Sequence, residues 1–317
     1  MKHETILVIG ANGQIGTALL PRLQSMYGFG NVIATDVRRT GNEEAIFEIV
    51  DATNASALAE IVQRHRVTQI YHLAAILSAK GEADPLWAWN LNMQTLLNVL
   101  EVARTCNLSK VFVPSSIAAF GEHAPKYETP QSSVLDPATV YGISKVAAEN
   151  WSVYYHKRYG LDVRSLRYPG VISYQSMPGG GTTDYAVAIY HEAVQGHDFD
   201  CFLSADTLLP MIYMDDALRA TLELMEAPAE NITVRTSYNL AGMSFTPAEL
   251  ATSIRRYYPD FNVTYTPDFR QAIADSWPKS IDDSVARKEW GWKPAFDLPK
   301  MTAEMISHLT ELYHVTI

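Results

Sequence analysis

Cysteine is scarce in this chain, which has only Cys106 and Cys201 among 317 residues. No two histidines are spaced as His-x-x-x-His and no two cysteines as Cys-x-x-Cys, so the sequence shows no zinc motif and we predict no metal. Two isolated cysteines are typical of buried thiols in a reducing compartment. This favours a cytoplasmic location.

The chain also has no excess of positive charge and no long apolar run. Lys and Arg number 25 against 35 Asp and Glu, a formal net charge of -10, whereas proteins that bind nucleic acid regardless of sequence neutralise phosphates with basic residues. No apolar run is long enough to span a membrane. The first apolar stretch begins almost at Met1 and is needed as the first strand of the fold, so we do not expect it to be a cleaved signal. We predict a cytoplasmic protein that binds neither nucleic acid nor membrane.

Glycine, in contrast, is concentrated near the amino terminus. The apolar run 6–9 is followed by Gly-Ala-Asn-Gly-Gln-Ile-Gly. Three glycines where a strand turns into a helix allow a pyrophosphate to approach the backbone and meet the amides of the helix start. A simple strand-to-helix turn is the alternative. We predict a dinucleotide site that contains Gly10, Asn12, Gly13, Gln14, Ile15 and Gly16.

An acidic residue follows at the distance expected for ribose binding. The apolar strand 32–35 ends in Asp36, about twenty residues after the last glycine, where a carboxylate binds both ribose hydroxyls and repels a 2′-phosphate. Arg38 and Arg39 come next and could bind that phosphate, which leaves NADP as an alternative. We predict NAD as the cofactor and include Arg38 in its site.

Strands and amphipathic helices alternate along the first half of the chain, which predicts the α/β class and a doubly wound parallel sheet of the Rossmann type. The fourth strand ends in Leu73, Ala74 and Ala75, whose small side chains leave room for a flat cofactor. We assign residues 1–170 to an NAD-binding domain to which residues 210–245 return. Residues 171–317 are assigned mainly to a smaller, interleaved substrate-binding domain.

Candidate catalytic residues follow the fifth strand. Ser115 and Ser116 lie at its carboxyl end, where open α/β sheets bind ligands. Tyr141 and Lys145 are four residues apart at the start of a helix and so share one face. An ammonium and a positive nicotinamide ring both favour the phenolate, so we expect them to lower the pKa of Tyr141 enough for it to accept a proton from an alcohol.

These segments together resemble the extended branch of the short-chain dehydrogenase/reductase superfamily, which includes UDP-galactose 4-epimerase. The resemblance rests on the glycine motif, Leu-Ala-Ala, Asn92, Ser-Ser-Ile-Ala-Ala-Phe-Gly and Tyr-Gly-Ile-Ser-Lys, and it covers nearly the whole chain. It implies that Ser116 and Tyr141 are catalytic and that Lys145 also binds the nicotinamide ribose. It also places Asp51, with Ala52, beside the adenine. We add Tyr168 and Val171 to the cofactor site.

The chain departs from the sugar-nucleotide enzymes of that branch after residue 166. It reads Arg-Tyr-Pro-Gly where those enzymes commonly read Arg-Tyr-Phe-Asn, and a Gly-Gly-Gly-Thr-Thr-Asp-Tyr segment follows at 179–185. With Ser-Trp-Pro at 276–278, these features resemble the L-threonine 3-dehydrogenases of the short-chain type. That resemblance implies metal-independent, NAD-dependent oxidation of L-threonine to 2-amino-3-oxobutanoate.

A ligand of the size of threonine needs hydrogen-bond donors for its carboxylate and an acceptor for its ammonium. Ser78, Thr182 and Thr183 could donate, and Asp184 could accept. The alternative for Thr182, Thr183 and Asp184 is that they cap the helix that follows. Trp277 could form a wall of the pocket or could serve packing alone. We predict that these five residues, with Ser116 and Tyr141, contact the substrate.

Two other functions stay open on the sequence alone. One is a nucleotide-sugar epimerase or dehydratase with bound NAD, and the other is a non-catalytic NAD-binding regulator. Family resemblance further suggests a homodimer through the helices that begin near Asn92 and Tyr141. Trp151 and Tyr155, which exceed what one core face needs, are consistent with that contact.

Overall fold

The computed structural model describes residues 4–39, 45–177 and 179–314. Pro178, which belongs to the predicted substrate segment, lies outside them. The helices are α1 Gln14–Tyr27, α2 Ala55–Arg64, α3 Ser78–Ala83, α4 Pro85–Thr105, α5 Val140–Tyr159, α6 Tyr185–Val194, α7 Met214–Glu226, α8 Pro247–Ile254, α9 Arg270–Ser276, α10 Ser284–Trp290 and α11 Leu298–Tyr313. The strands are β1 Ile6–Ile9, β2 Val32–Asp36, β3 Ile46–Ile49, β4 Gln69–His72, β5 Lys110–Phe112, β6 Ser115–Ser116, β7 Val163–Arg164, β8 Leu166–Tyr168, β9 Gly170–Ile172, β10 Phe199–Cys201, β11 Leu209–Tyr213, β12 Tyr238–Asn239, β13 Met243–Phe245 and β14 Val263–Tyr265.

The main sheet has six parallel strands in the order β3-β2-β1-β4-β5-β7. Side chains of β1 alternate between two cores, because successive residues of a strand point to opposite faces. Ile6 and Val8 pack in the core that includes α1 and α7, whereas Leu7 and Ile9 pack in the core that includes α2 and α4. The predicted doubly wound α/β fold is confirmed.

The strand order reverses between β1 and β4, which lie side by side although β2 and β3 separate them in the chain. Doubly wound sheets bind ligands at such a switch point, at the carboxyl ends of the strands. The glycine turn follows β1 here, and Leu73, Ala74 and Ala75 follow β4. The fold therefore brings two predicted parts of the cofactor site together.

Three small sheets extend the structure beside the main one. Their strand orders are β12-β8-β6, β13-β11-β9 and β10-β14. Strand β11 pairs in parallel with β9, where Ile212 lies opposite Val171, and β12 pairs in parallel with β8. A third core, formed largely by α6, α8 and α11, contains Trp277, Met301 and Met305.

One helix begins earlier than predicted. The helix predicted to begin near Asn92 begins at Pro85, because the Asp84 side chain accepts a hydrogen bond from the Trp87 amide and proline suits the first helical turn. Ser78 begins a separate short helix, α3. The apolar residues of this segment do not follow a helical period strongly enough to reveal either start.

Candidate active site

The glycine turn has the geometry that a dinucleotide requires. Gly10 has a φ of 84°, and a Cβ there would lie 2.7 Å from the Ala74 nitrogen; a Cβ on Gly16 would lie 2.3 Å from the Gly10 oxygen. Gly13 precedes α1 and provides no capping side chain, so the first amides of α1 remain suited to a phosphate. These residues fit the pyrophosphate of NAD.

The Asp36 carboxylate lies against this turn. Its Oδ2 accepts a hydrogen bond from the Asn12 amide at 3.0 Å, and its Oδ1 accepts one from the Val37 amide at 2.8 Å. The Asn12 side chain donates to the Arg38 carbonyl at 2.6 Å, which fixes the chain after β2. The predicted acid therefore stands next to the predicted phosphate site, where the carboxylate disfavours a 2′-phosphate.

A second acidic loop lies next to Asp36. The Val50 amide donates to the Asp36 carbonyl at 3.0 Å, which places the following residue, Asp51, at the same edge of the sheet. Asp51 Oδ1 accepts from the Thr53 amide at 2.9 Å and from the Thr53 hydroxyl at 2.7 Å. This arrangement supports the prediction that Asp51 and Ala52 border the adenine.

Ser116 and Tyr141 meet at the carboxyl end of the central strands. Thr139 caps α5 by accepting from the Gly142 amide, and this fixes the helix start that carries Tyr141. The Tyr141 hydroxyl is hydrogen-bonded to the Ser116 side chain, but burial outweighs this bond and raises the pKa of Tyr141 to about 12. The pKa of the half-buried Tyr141 is therefore raised in the protein itself, and its lowering by Lys145 together with a positive nicotinamide ring stays a prediction.

Lys145 lies one turn further along α5. Its Nζ donates to the Pro114 carbonyl at 2.7 Å and lies 5.2 Å from the centre of the Tyr141 ring. Burial lowers the pKa of Lys145 to about 8, and the nearby Glu149 carboxylate counteracts that shift. The ammonium is thus held at a defined point beside the phenol.

One cleft joins the predicted catalytic residues to both predicted ligand sites. It encloses about 790 Å³, a volume that includes solvent at its open mouth. The predicted residues that line it are Gln14, Ile15, Leu73, Ala75, Ser78, Ser116, Tyr141, Lys145, Tyr168, Val171, Thr182, Thr183, Asp184 and Trp277. Among its described lining residues only Lys145 and Asp184 carry a charge.

Residues far apart in the sequence meet in the substrate half of this cleft. The hydroxyls of Ser78 and Thr182 are 3.2 Å apart, and both side chains are buried. The Gln14 side chain donates to the Val171 carbonyl at 3.2 Å, which ties α1 to β9 across the cleft. Trp277 both lines the cleft and packs in the third core, so the two interpretations of this residue are compatible.

The Asp184 side chain has a role that the sequence did not suggest. Its Oδ2 accepts hydrogen bonds from the amides of Gly180 and Gly181, both at 2.7 Å, and it does not bond to the first turn of α6. The alternative interpretation, that this side chain caps α6, is therefore wrong. Burial raises the pKa of Asp184, and the glycine amides partly offset that shift. The carboxylate holds the glycine loop at the wall of the cleft.

Sequence reasoning missed several residues of the site. The cleft is also lined by Leu77, Pro114 and Ile117, which are found by position alone. It is lined as well by Pro169, Gly170 and Gly181, which lie in the Arg-Tyr-Pro-Gly and Gly-Gly-Gly segments but have no polar side chain to mark them as site residues. Glu149 was missed as well, although its place four residues after Lys145 on the same helix is a usable signal. In the described ranges we find no group of three His, Cys, Asp or Glu residues that could hold a metal ion.

Comparison with known proteins agrees with this geometry. Residues 6–241 match the model of the NAD dependent epimerase/dehydratase family. The mitochondrial L-threonine 3-dehydrogenase of Bos taurus is 50% identical over 309 residues, which are 96% of this chain and 82% of that protein.

Two solved structures are similar over almost their full length. The holo form of the GalE-like L-threonine dehydrogenase from Cupriavidus necator is 57% identical, with a TM-score of 0.95 and coverage of 96% of this chain and 99% of that one. A monomeric L-threonine 3-dehydrogenase from a metagenome, in apo form, is 49% identical, with a TM-score of 0.95 and coverage of 97% and 99%. The chain belongs to the NAD dependent epimerase/dehydratase family.

Proposed function

We propose that this protein is an NAD-dependent L-threonine 3-dehydrogenase, which oxidises the 3-hydroxyl of L-threonine to give 2-amino-3-oxobutanoate. One observation supports this specific activity in addition to the family membership. In the described lining of the cleft, the hydroxyls of Ser78, Thr182 and Thr183 can donate to a carboxylate, and Asp184, the one anionic side chain there, can accept from an ammonium. A small zwitterion with a hydroxyl group complements such a surface.

The same observation argues against a nucleotide sugar. A diphosphate is usually bound by Arg or Lys side chains, which form charge-assisted hydrogen bonds with its oxygens. No arginine belongs to the described lining of the cleft, and its one lysine is bonded to Pro114 beside Tyr141. The curated bovine protein and the two solved structures above, whose names identify them as threonine dehydrogenases, support the same substrate.

The chain's own residues supply the proton transfer. The Tyr141 oxygen accepts the proton of the substrate hydroxyl, while Ser116 binds that hydroxyl oxygen and keeps it aligned with Tyr141. Lys145 holds its ammonium near the phenol and stabilises the phenolate. Since burial raises the Tyr141 pKa to about 12, this stabilisation depends on further positive charge in the site.

Bound NAD would supply the hydride acceptor and a positive ring. The glycine turn and Asp36 would hold its pyrophosphate and adenosine ribose, and Asp51 with Ala52 would border the adenine. Lys145 would bind the nicotinamide ribose. The remainder of the cofactor would be surrounded by Leu73, Ala74, Ala75, Tyr168 and Val171.

The division of the chain into two parts belongs to the same proposal. Residues 1–170 with 210–245 hold NAD, and residues 171–317 mainly hold the substrate. Two observations support this division. Strand β12, within 210–245, pairs in parallel with β8, within 1–170. Four residues of the later segment line the cleft, namely Thr182, Thr183, Asp184 and Trp277.

We further propose a homodimer through α4 and α5. Apolar side chains remain exposed on these helices, which is unusual for a surface that contacts only water. They are Leu86, Trp87, Ile143, Trp151 and Tyr154. Tyr155, in contrast, is buried in the protein's own core, so the prediction that it serves the interface is wrong.

In the described part of the chain no helix is long and apolar enough to cross a membrane. The cytoplasmic location stays a prediction.

The function is tested by following NADH absorbance with purified protein, NAD and a panel of substrates. L-threonine should yield NADH continuously, whereas UDP-glucose and UDP-galactose should yield none. Tyr141→Phe should lower kcat by at least about a thousandfold, because it removes the base, and should leave NAD affinity within about threefold of the parent protein.

A matched control is Tyr159→Phe, which removes a hydroxyl from the far end of the same helix and should keep full activity. Turnover of UDP-sugars without net NADH would instead identify an epimerase. Turnover of threonine by Tyr141→Phe at the parent rate would exclude the proposed base.

A further inference from the structure

Helix α4 carries two buried asparagines that each bind a loop at the ligand edge of the sheet. Asn92 accepts a hydrogen bond from the Ile76 amide at 2.8 Å and donates to the Ile76 carbonyl at 3.2 Å. Asn98 lies six residues later and donates to the carbonyls of Ala52 at 2.9 Å and Thr53 at 2.8 Å. The two loops follow β4 and β3, respectively.

Another residue of α4 orients the Asn98 side chain. Gln94, one turn earlier, donates from its Nε2 to Asn98 Oδ1 at 2.8 Å, and this bond fixes which end of the Asn98 amide faces the loop. Asn98 is 7% exposed and Ala52 is 5% exposed, so water has little access to the contact. Loss of the Asn98 donor would leave a buried carbonyl without a partner.

The loop held by Asn98 is the one next to Asp36. Asp51 is tied to Thr53 through its Oδ1, and Thr53 is in turn tied to Asn98 through its carbonyl. The Val50 amide joins the start of the loop to the Asp36 carbonyl. A shift of residues 52 and 53 would therefore move the Asp51 carboxylate relative to Asp36.

We propose that Asn98 is a positioning residue for the adenosine half of the cofactor site. This inference rests on the proposed assignment of Asp51 and Ala52 to the adenine. Asn92 holds the loop on the other side of the switch point, two residues before Ser78, and serves as the comparison. Neither asparagine lines the cleft that contains Ser116, Tyr141 and Lys145.

The test is a comparison of Asn98→Leu and Asn92→Leu, two substitutions of the same kind on the same helix. Isothermal titration with ADP-ribose, which has the adenosine half of NAD and no nicotinamide, measures binding without turnover. Asn98→Leu should raise the Kd of ADP-ribose about tenfold. It should leave kcat at saturating NAD and the KM of threonine within about twofold of the parent protein.

Asn92→Leu should show the opposite pattern, with the Kd of ADP-ribose changed by less than about twofold and the KM of threonine raised several-fold. Thermal unfolding of both variants reports any general loss of stability. If Asn98→Leu does not fold, Gln94→Ala removes only the bond that orients the Asn98 amide. It should raise the Kd of ADP-ribose about threefold.

An unchanged Kd of ADP-ribose in folded Asn98→Leu would overturn the inference. So would equal changes of the Kd of ADP-ribose and of the KM of threonine in both asparagine variants. If Asn98→Leu does not fold, an unchanged Kd of ADP-ribose in Gln94→Ala would overturn the inference. Failure of the proposed function looks different: the parent protein would bind ADP-ribose but would not reduce NAD with threonine.

Discussion

The Glu149 carboxylate and the Arg167 guanidinium form a buried ion pair at the helix that carries Tyr141 and Lys145. Arg167 Nη2 lies 2.7 Å from Glu149 Oε2, and Arg167 Nε lies 2.9 Å from Oε1. Glu149 also accepts from the Ser115 hydroxyl at 2.6 Å, and it follows Lys145 by one turn of α5. The pair therefore connects β8, the catalytic helix and the residue next to Ser116.

Breaking this pair should destabilise the protein strongly. Glu149→Leu leaves the Arg167 charge buried without its carboxylate, which costs about 3–5 kcal/mol of the free energy of unfolding. The double variant Glu149→Leu/Arg167→Met removes both charges and should recover more than half of that loss. Urea unfolding measures both effects.

Arg22→Ala is the control for this experiment, since the Arg22–Asp215 pair is exposed and should contribute less than about 1 kcal/mol. A Glu149→Leu variant with no greater loss than Arg22→Ala would show that the buried pair does not stabilise the fold.

Replacement of Lys145 should raise stability while it removes activity. The pKa of Lys145 is about 8 in the folded protein and near 10.5 in the unfolded chain. The unfolded chain thus binds more protons between these pH values, and the penalty for the buried ammonium, about 3 kcal/mol, is complete below pH 8 and falls as the pH rises. Lys145→Met should be more stable than the parent protein at pH 7 by up to that amount.

The pH dependence distinguishes this effect from improved packing. Above the folded-state pKa the stability difference should shrink by about 1.4 kcal/mol per pH unit, as measured by urea unfolding near pH 7 and near pH 9.5. A difference that does not change with pH would show that the ammonium is not its cause.

Asp184→Asn separates the two roles of this residue. The variant keeps an oxygen that can accept from the amides of Gly180 and Gly181, but it loses the negative charge proposed to meet the substrate ammonium. The KM of threonine should rise about 30-fold. The inhibition constant of 3-hydroxybutyrate, which has the same hydroxyl and carboxylate but no ammonium, should change by less than about threefold. Equal losses for both ligands would assign Asp184 to the loop alone.

Charged residues on the exposed apolar face of α5 should prevent the proposed dimer. Ile143 and Trp151 are 48% and 38% exposed, and Ile143→Glu/Trp151→Glu would bring charges into a contact that excludes water. Light scattering after size exclusion should report a dimer for the parent protein and a monomer for the variant. Phe269→Glu, at an exposed position on the other part of the chain, should remain dimeric. A monomeric parent protein would refute the proposal.

The sequence determined the features that depend on neighbours along the chain. The glycine turn, Asp36 at the end of β2 and the pairing of Tyr141 with Lys145 on one helix all follow from local spacing, because backbone geometry places residues of a strand, turn or helix at known positions. The doubly wound sheet follows from the alternation of strands and helices. Resemblance to a known family added the roles of these residues and the substrate.

Only the tertiary structure decided which distant residues meet and how far each is buried. Ser78 reaches Thr182, Arg167 reaches Glu149 and Asn98 reaches Ala52, although no local period relates the members of any pair. The direction of the Tyr141 pKa shift was decided in the same way: the lysine four residues on was visible in the sequence, but the enclosure of the phenol by several segments was not. Desolvation depends on everything that surrounds a group, so it can be assessed only after the chain has folded.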